Sequence, residues 1–158
     1  MRIALGADHA GSALKRTLIQ RLEARGLLCD DFGTDSEMSV DYPDYARQVA
    51  QTVAGGGADR GILICGTGIG MAIAANKVPG VRAALVGDLE SAKLCREHND
   101  ANVLALGARI TAPDTAVAIA DLFLATGYAG GRHQRRLDKI AALERLACAR
   151  PTLEESQS

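Results

Sequence analysis

The chain has 158 residues, of which 47% are hydrophobic and 23% charged, enough to bury the core of one domain. A formal net charge of −1 and a sequence pI near 6.3 exclude the basic character expected of a nucleic-acid or anionic-membrane partner. No apolar run approaches the roughly 20 residues of a membrane span, and Met1-Arg2-Ile3-Ala4-Leu5-Gly6 reads as a strand rather than a secretion signal.

Arg2 to Ala7 is the first strand, followed by a helix from about Gly11 to Arg25 that Gly26 closes as its C-terminal cap. Leu27 to Phe32 is a second strand. Residues 33–41 form a polar loop, and Pro43 stands near the start of a helix that runs through Val53. Gly55-Gly56-Gly57 turns the chain into a third strand, Gly61 to Cys65, and Gly68 to Lys77 is the third helix. Val81 to Val86 is a fourth strand, with a helix from about Leu89 to Glu97. Val103 to Leu106 is a fifth, with a helix from Pro113 to Ala125. A last helix, about Arg132 to Ala147, carries Leu137, Ile140, Leu143 and Ala147 on one stripe. The polar tail from Arg150 to Ser158 is expected to be disordered.

Strict alternation of strand and helix predicts one α/β domain over residues 1–149. The expected architecture is a Rossmann-like three-layer sandwich, with a five-stranded parallel sheet, right-handed crossovers and an added C-terminal helix. Asp8-His9 end the first strand and Cys65 ends the third. Ligands of open α/β sheets bind at the carboxyl ends of the strands, where strand order reverses. The order 2-1-3-4-5 brings Asp8, His9 and the Cys65 loop into one crevice and is the order expected. The order 3-2-1-4-5 would separate them.

Cys65-Gly66-Thr67-Gly68-Ile69-Gly70 concentrates the chemistry. A buried strand delivers a thiol to the top of the sheet, and a glycine turn then opens a helix. That turn lets the backbone approach a ligand and offers a row of N–H groups as an anion cradle. A possible base beside such a cradle suits enolate chemistry. Neither G-x-G-x-x-G nor the phosphate loop G-x-x-x-x-G-K-[ST] is present, since Met71 stands where the third glycine would be.

Four scattered cysteines (Cys29, Cys65, Cys95, Cys148) make no C-x-x-C pair, which points to a reducing cytoplasm rather than a disulfide framework or zinc site. Three separated histidines give no metal-ligand spacing. Arg96-Glu97-His98-Asn99-Asp100 places a histidine at a helix end, where it can titrate near neutrality. Arg132 and Arg136 share one helical face, and two planar guanidiniums at that spacing can clamp a phosphate.

Asp8-His9-Ala10-Gly11, Asp41-Tyr42-Pro43, Cys65 to Gly70, Ala74-Ala75-Asn76-Lys77, His98 to Asn102, Gly107-Ala108-Arg109 and Gly130 to Arg136 occur in this order along the chain. Together they resemble the signature of type B ribose-5-phosphate isomerases, in a wider family with galactose-6-phosphate isomerase subunits and allose-6-phosphate isomerases. The resemblance covers residues 1 to about 147. It implies a reversible aldose–ketose isomerisation of ribose 5-phosphate and ribulose 5-phosphate, a pentose phosphate pathway step, without metal or other cofactor. It implies Cys65 as the base moving a proton between C2 and C1, with Thr67 beside it, and His98 as the group that opens the furanose. Backbone N–H groups of Gly66, Thr67, Gly68, Ile69 and Gly70 would hold the enediolate oxygen. Asp8 and Asn99 would bind sugar hydroxyls. His9, Arg109, Arg132 and Arg136 would bind phosphate, and Tyr42 would help complete the pocket. Another branch carries Glu at the position of Met71 and uses it as the base; Met71 puts this chain with the cysteine branch.

The resemblance further implies a homodimer or dimer of dimers with shared sites, His98 and Arg109 coming from the partner of the subunit that supplies Cys65. The alternatives are a hexose-phosphate isomerase, a non-catalytic sugar-phosphate sensor and a flavodoxin-type nucleotide module. A sensor would need a lost base or acid, and 3% aromatic content is a poor supply for sandwiching a flavin.

Overall fold

Two segments without a polar side chain, Ile62 to Cys65 and Val103 to Leu106, form the centre of the molecule, because only a strand covered on both faces hides every position. The computed structural model describes residues 1–149, so the expectation for the tail beyond them lies outside the described residues. The elements are β1 (Arg2–Ala7), α1 (Ser12–Glu23), β2 (Leu28–Asp31), α2 (Tyr42–Ala54), β3 (Arg60–Cys65), α3 (Ile69–Ala75), β4 (Ala83–Leu85), α4 (Leu89–Glu97), β5 (Val103–Gly107) and α5 (Pro113–Ala125). A 3-10 turn, Gly131–His133, then leads into α6 (Gln134–Cys148).

All strand pairs are parallel, and the order is β2-β1-β3-β5-β4. This corrects the expected 2-1-3-4-5: β5, not β4, lies beside β3. The reason is burial. All of β5 is buried, whereas β4 has only three residues, none fully buried, and so suits an edge. The neighbours β1 and β3, which the site depends on, are as expected.

Each change in the direction of travel across the sheet changes the face on which the connecting helix lies, as right-handed crossovers require. On one face α1, α4 and α5 pack Leu18, Leu22, Ala92, Ile119 and Phe123 against the sheet. On the other, α2 and α3 contribute Val49, Val53, Met71 and Ala75. Burying each large side chain contributes roughly 1.5–3 kcal/mol before entropy is counted. Met71 is fully buried in this second cluster, a core role that fits its being no part of a proton relay.

Helix α6 stands apart, with Leu137 as its one buried residue. Ile140, Leu143 and Leu146 are 47%, 66% and 67% exposed, and a cavity of about 650 Å³ separates the helix from the β4 edge. No described helix is long and apolar enough to cross a membrane.

Candidate active site

The carboxyl ends of β1 and β3 form the upper half of the site. Asp8 leaves β1 with its N–H donating to the Ile64 carbonyl at 3.2 Å, which seats it beside the end of β3. Its buried carboxylate accepts from the N–H groups of Ala10 (2.9 Å) and Gly11 (3.1 Å), both on Oδ1. His9 Nδ1 accepts from the Val40 N–H at 3.3 Å, tying the polar loop back to the crevice. That loop is also fastened from below by Lys15. The Lys15 side chain is fully buried, with Nζ 2.8 Å from Asp31, 3.2 Å from Asp35 and donating to the Thr34 carbonyl at 3.2 Å. Burying a lysine side chain is costly unless it finds such partners.

Cys65 is 5% exposed, and its Sγ accepts from the Gly68 N–H at 3.1 Å, one of the contacts a thiolate needs. Gly68 has φ +77°, and a Cβ there would lie 2.8 Å from the Leu106 backbone, so the turn demands glycine twice over. The Ala72 N–H is the first to reach back to the Gly68 carbonyl (3.0 Å), so the amides of Gly70 and Met71 lie in the first turn, where helices leave N–H groups unpaired. Helix α3 has only seven residues. The local N–H groups, more than a long-range dipole, therefore make the cradle. Thr67 is exposed on the same loop, its hydroxyl 3.4 Å from the Ile69 N–H.

Two side chains roof the loop. A Cβ on Gly70 would fall 2.5 Å from the Tyr42 ring and 2.8 Å from its Oη, so the phenol lies directly over Gly70. A Cβ on Gly66 would meet an Arg109 guanidinium nitrogen at 3.1 Å, and the Arg109 N–H donates to the Gly66 carbonyl at 2.9 Å. Arg109 therefore lies against the Gly66 turn of its own chain, whereas the resemblance assigns it to the site that holds the partner subunit's Cys65. Burial and the carboxylates of Glu23, Asp30 and Asp31 push the Cys29 thiol up to about 11, and burial also raises Cys95. Both thiols stay protonated and inert at neutral pH.

The remaining expected residues lie elsewhere. His98 caps the C-terminal end of α4, and four residues on, Asn102 accepts from the Gly61 N–H at 2.9 Å, at the start of β3. Cys65 is at that strand's other end, about 13 Å away by strand rise alone. Asn99 is exposed on the same turn. Asp100, with φ +43°, is held by Arg82 and Arg96 at 2.9 Å each, and buried Arg96 also donates to the Thr126 carbonyl at 3.2 Å. The Ala129 N–H donates to the Glu97 carbonyl at 3.0 Å, which brings the segment with Arg132 and Arg136 to this end. Both arginines are exposed and form no ion pair among the described residues.

One residue of this lower half was not singled out from the sequence. The buried ring of His133 stacks on His98, with centroids 4.2 Å apart and planes 15° from parallel. Burial first, then His98, Arg132 and Arg136, lower its pKa below the usual 6.5, and Glu97 opposes them. Only its position between two arginines hinted at the site. No group of three or more metal-ligating side chains occurs among the described residues.

One chain thus holds a thiol, an anion cradle and a guanidinium at the upper end, and a histidine pair with two exposed arginines at the lower end. Comparison with known proteins agrees with this chemistry. The family model described as Ribose/Galactose Isomerase matches residues 3–140. Ribose-5-phosphate isomerase B of Escherichia coli is 50% identical over 143 residues, 90% of this chain and 96% of that protein. Ribose-5-phosphate isomerase B of Clostridium thermocellum superposes with a TM-score of 0.92 at 50% identity, covering 93% of this chain and 99% of that one. The enzyme of Mycoplasma genitalium, solved with bound ribulose 5-phosphate, gives 0.88 at 43% identity, covering 91% and 96%. The chain belongs to the ribose/galactose isomerase family, with the type B ribose-5-phosphate isomerases.

Proposed function

We propose that the domain of residues 1–149 interconverts ribose 5-phosphate and ribulose 5-phosphate at a site completed by a second copy of the chain. The observation that carries the reading is the separation just described: Cys65 and its glycine turn lie at one end of the sheet, and His98 with the segment of Arg132 and Arg136 lies at the other. Juxtaposing the upper end of one copy with the lower end of another unites them. The uncovered residues Ile140, Leu143 and Leu146 supply apolar surface for such pairing.

In the forward direction His98 passes a proton to the furanose ring oxygen and takes one back from the anomeric hydroxyl, opening the aldehyde. The Cys65 thiolate then takes the C2 proton, and the electron pair moves toward O1. The N–H groups of the Gly66 to Gly70 turn hold the oxyanion, each such preorganised donor being worth about 10²–10³ in rate. Cys65 returns the proton to C1 and the hydroxyl proton passes from O2 to O1, for which Thr67 is the adjacent relay. Arg132 and Arg136 of the second copy, with His9 and Arg109, bind the phosphate. Asp8, Asn99 and Tyr42 hold the sugar.

A coupled assay comparing ribose, allose and galactose phosphates with unphosphorylated ribose tests the reading. Ribose 5-phosphate should be turned over with the highest kcat/KM; a clear preference for a hexose phosphate would move the protein to another branch, and no turnover of any would reduce it to a binding protein.

A further inference from the structure

We propose that His133 is a positioning residue for ring opening: its buried imidazole is the platform that fixes the ring plane of His98. The inference rests on reading His98 as the ring-opening group.

The stack itself is the first observation, since rings 4.2 Å apart and 15° from parallel leave the His98 imidazole little freedom to turn about its side-chain axis. Its titrating nitrogen then always meets the substrate from one direction, which is where orientation contributes most to rate. The second observation is the state of His133. It is 6% exposed, and its Nδ1 finds no hydrogen-bond partner among the described residues. A proton there would be a buried, unpartnered donor. The charged groups facing it oppose protonation on balance: Arg132 and Arg136 from its own segment and His98 from α4 disfavour the cation, with Glu97 of α4 favouring it. Its ring is therefore neutral, so His98 can carry a proton above it without a like charge beneath, and with a cation–π attraction instead.

The third observation is how firmly the platform is built. Gly130 and Gly131, at φ +65° and +59°, bend the chain so that the residue between two exposed arginines turns inward. The Ala129 N–H bond to Glu97 and the Arg96 bond to Thr126 clamp this segment to the end of α4. Arg132 and Arg136 remain outside to meet phosphate. His133 acts through His98 instead.

The test compares His133→Ala, His133→Gln and His133→Phe in the full-length enzyme, with His98→Asn alongside. Two rates are read: kcat for cyclic ribose 5-phosphate, and exchange of the C1 proton of ribulose 5-phosphate with solvent, which needs no ring opening. The Ala and Gln variants should lose about 10–100-fold in aldose kcat, the scale of a misplaced catalytic group, while exchange and KM stay within about twofold. The Phe variant, which keeps a flat neutral ring, should recover most of the aldose rate. If Ala does not fold, the contrast of Gln with Phe decides. Equal loss in both rates, loss in neither, or a Phe variant no better than Gln overturns the inference. If His98→Asn itself shows no selective aldose loss, the ring-opening reading fails; if it does and His133→Gln does not, the positioning inference alone fails.

Discussion

The upper end of the sheet presents mainly backbone, whereas the lower end presents mainly side chains. At the upper end glycines let the Gly68 N–H reach the Cys65 sulfur and leave room for Tyr42 and Arg109 to lie on the main chain. At the lower end an arginine–aspartate network, with Arg96 buried and Asp100 bonded to two guanidiniums, fixes the turn carrying His98 and Asn99. The difference follows the tasks proposed for the two ends. An oxyanion that exists only briefly is best met by dipoles already in place, which cost no reorganisation during the reaction. A phosphate and a ring oxygen require charge and a titratable group.

The sharpest way to break this division is Cys65→Ala. Isomerisation and proton exchange should fall by about 10³ or more while calorimetry still detects substrate binding. Mixing that inactive variant with His98→Asn, with subunit exchange, should restore about a quarter of wild-type activity, since half the dimers are mixed and each has one intact site. No recovery would place both halves of the site in one chain. Next in size, Arg136→Ala should lower kcat/KM for the phosphorylated sugar by roughly 10–100-fold, Lys restoring part, and leave unphosphorylated ribose unaffected. Equal loss for both sugars would remove Arg136 from the phosphate.

Lys15→Met probes the loop strapped to the upper end. Asp31 and Asp35 are solvent-accessible and can rehydrate, so stability should change little. KM should nevertheless rise several-fold, and the Val40 amide, bonded to His9, should lose hydrogen-exchange protection. An unchanged KM would separate Lys15 from the site. The smallest effect concerns the lower end alone. Because folding lowers the pKa of His133, the unfolded chain binds the extra proton first, so the contribution is present above pH 6.5 and is lost as pH falls below it. Denaturant titrations at pH 7.5 and 5.5 should show this slope, reduced in His133→Phe.

Periodicity and turn chemistry made the alternation of elements legible, and the Leu89 to Glu97 and Pro113 to Ala125 helices match their expected bounds. The pairing of β1 with β3 followed from chemistry, since Asp8 and Cys65 are useful only as neighbours. The exchange of β4 and β5 was also legible, had continuous apolarity been weighed: Val103 to Gly107 has no polar residue, whereas the fourth strand begins after Arg82. Other features are not local. Lys15 and Arg96 are residue types rarely buried, and their places depend on partners distant in sequence. The stack of His98 on His133 joins residues 35 positions apart through two glycine bends that no short window reveals. The guanidinium of Arg109 follows its own β5, so its side of the site depends on strand order rather than motif.

The Asp8 carboxylate gives the site a direction. Its Oδ1 is occupied by the amides of Ala10 and Gly11, and Oδ2 is left to serve the crevice. An ionised oxygen can only accept, so a sugar hydroxyl that meets it must donate, and that hydroxyl's lone pairs then point onward to its next neighbour. On the proposed role of Asp8, one tight turn after β1 sets the polarity of a hydrogen-bonded chain running through the substrate. Asp8→Asn would keep the turn on Oδ1, offer a donor in place of the acceptor and reverse that polarity, so the sugar would be held by the same shape with every O–H facing the other way.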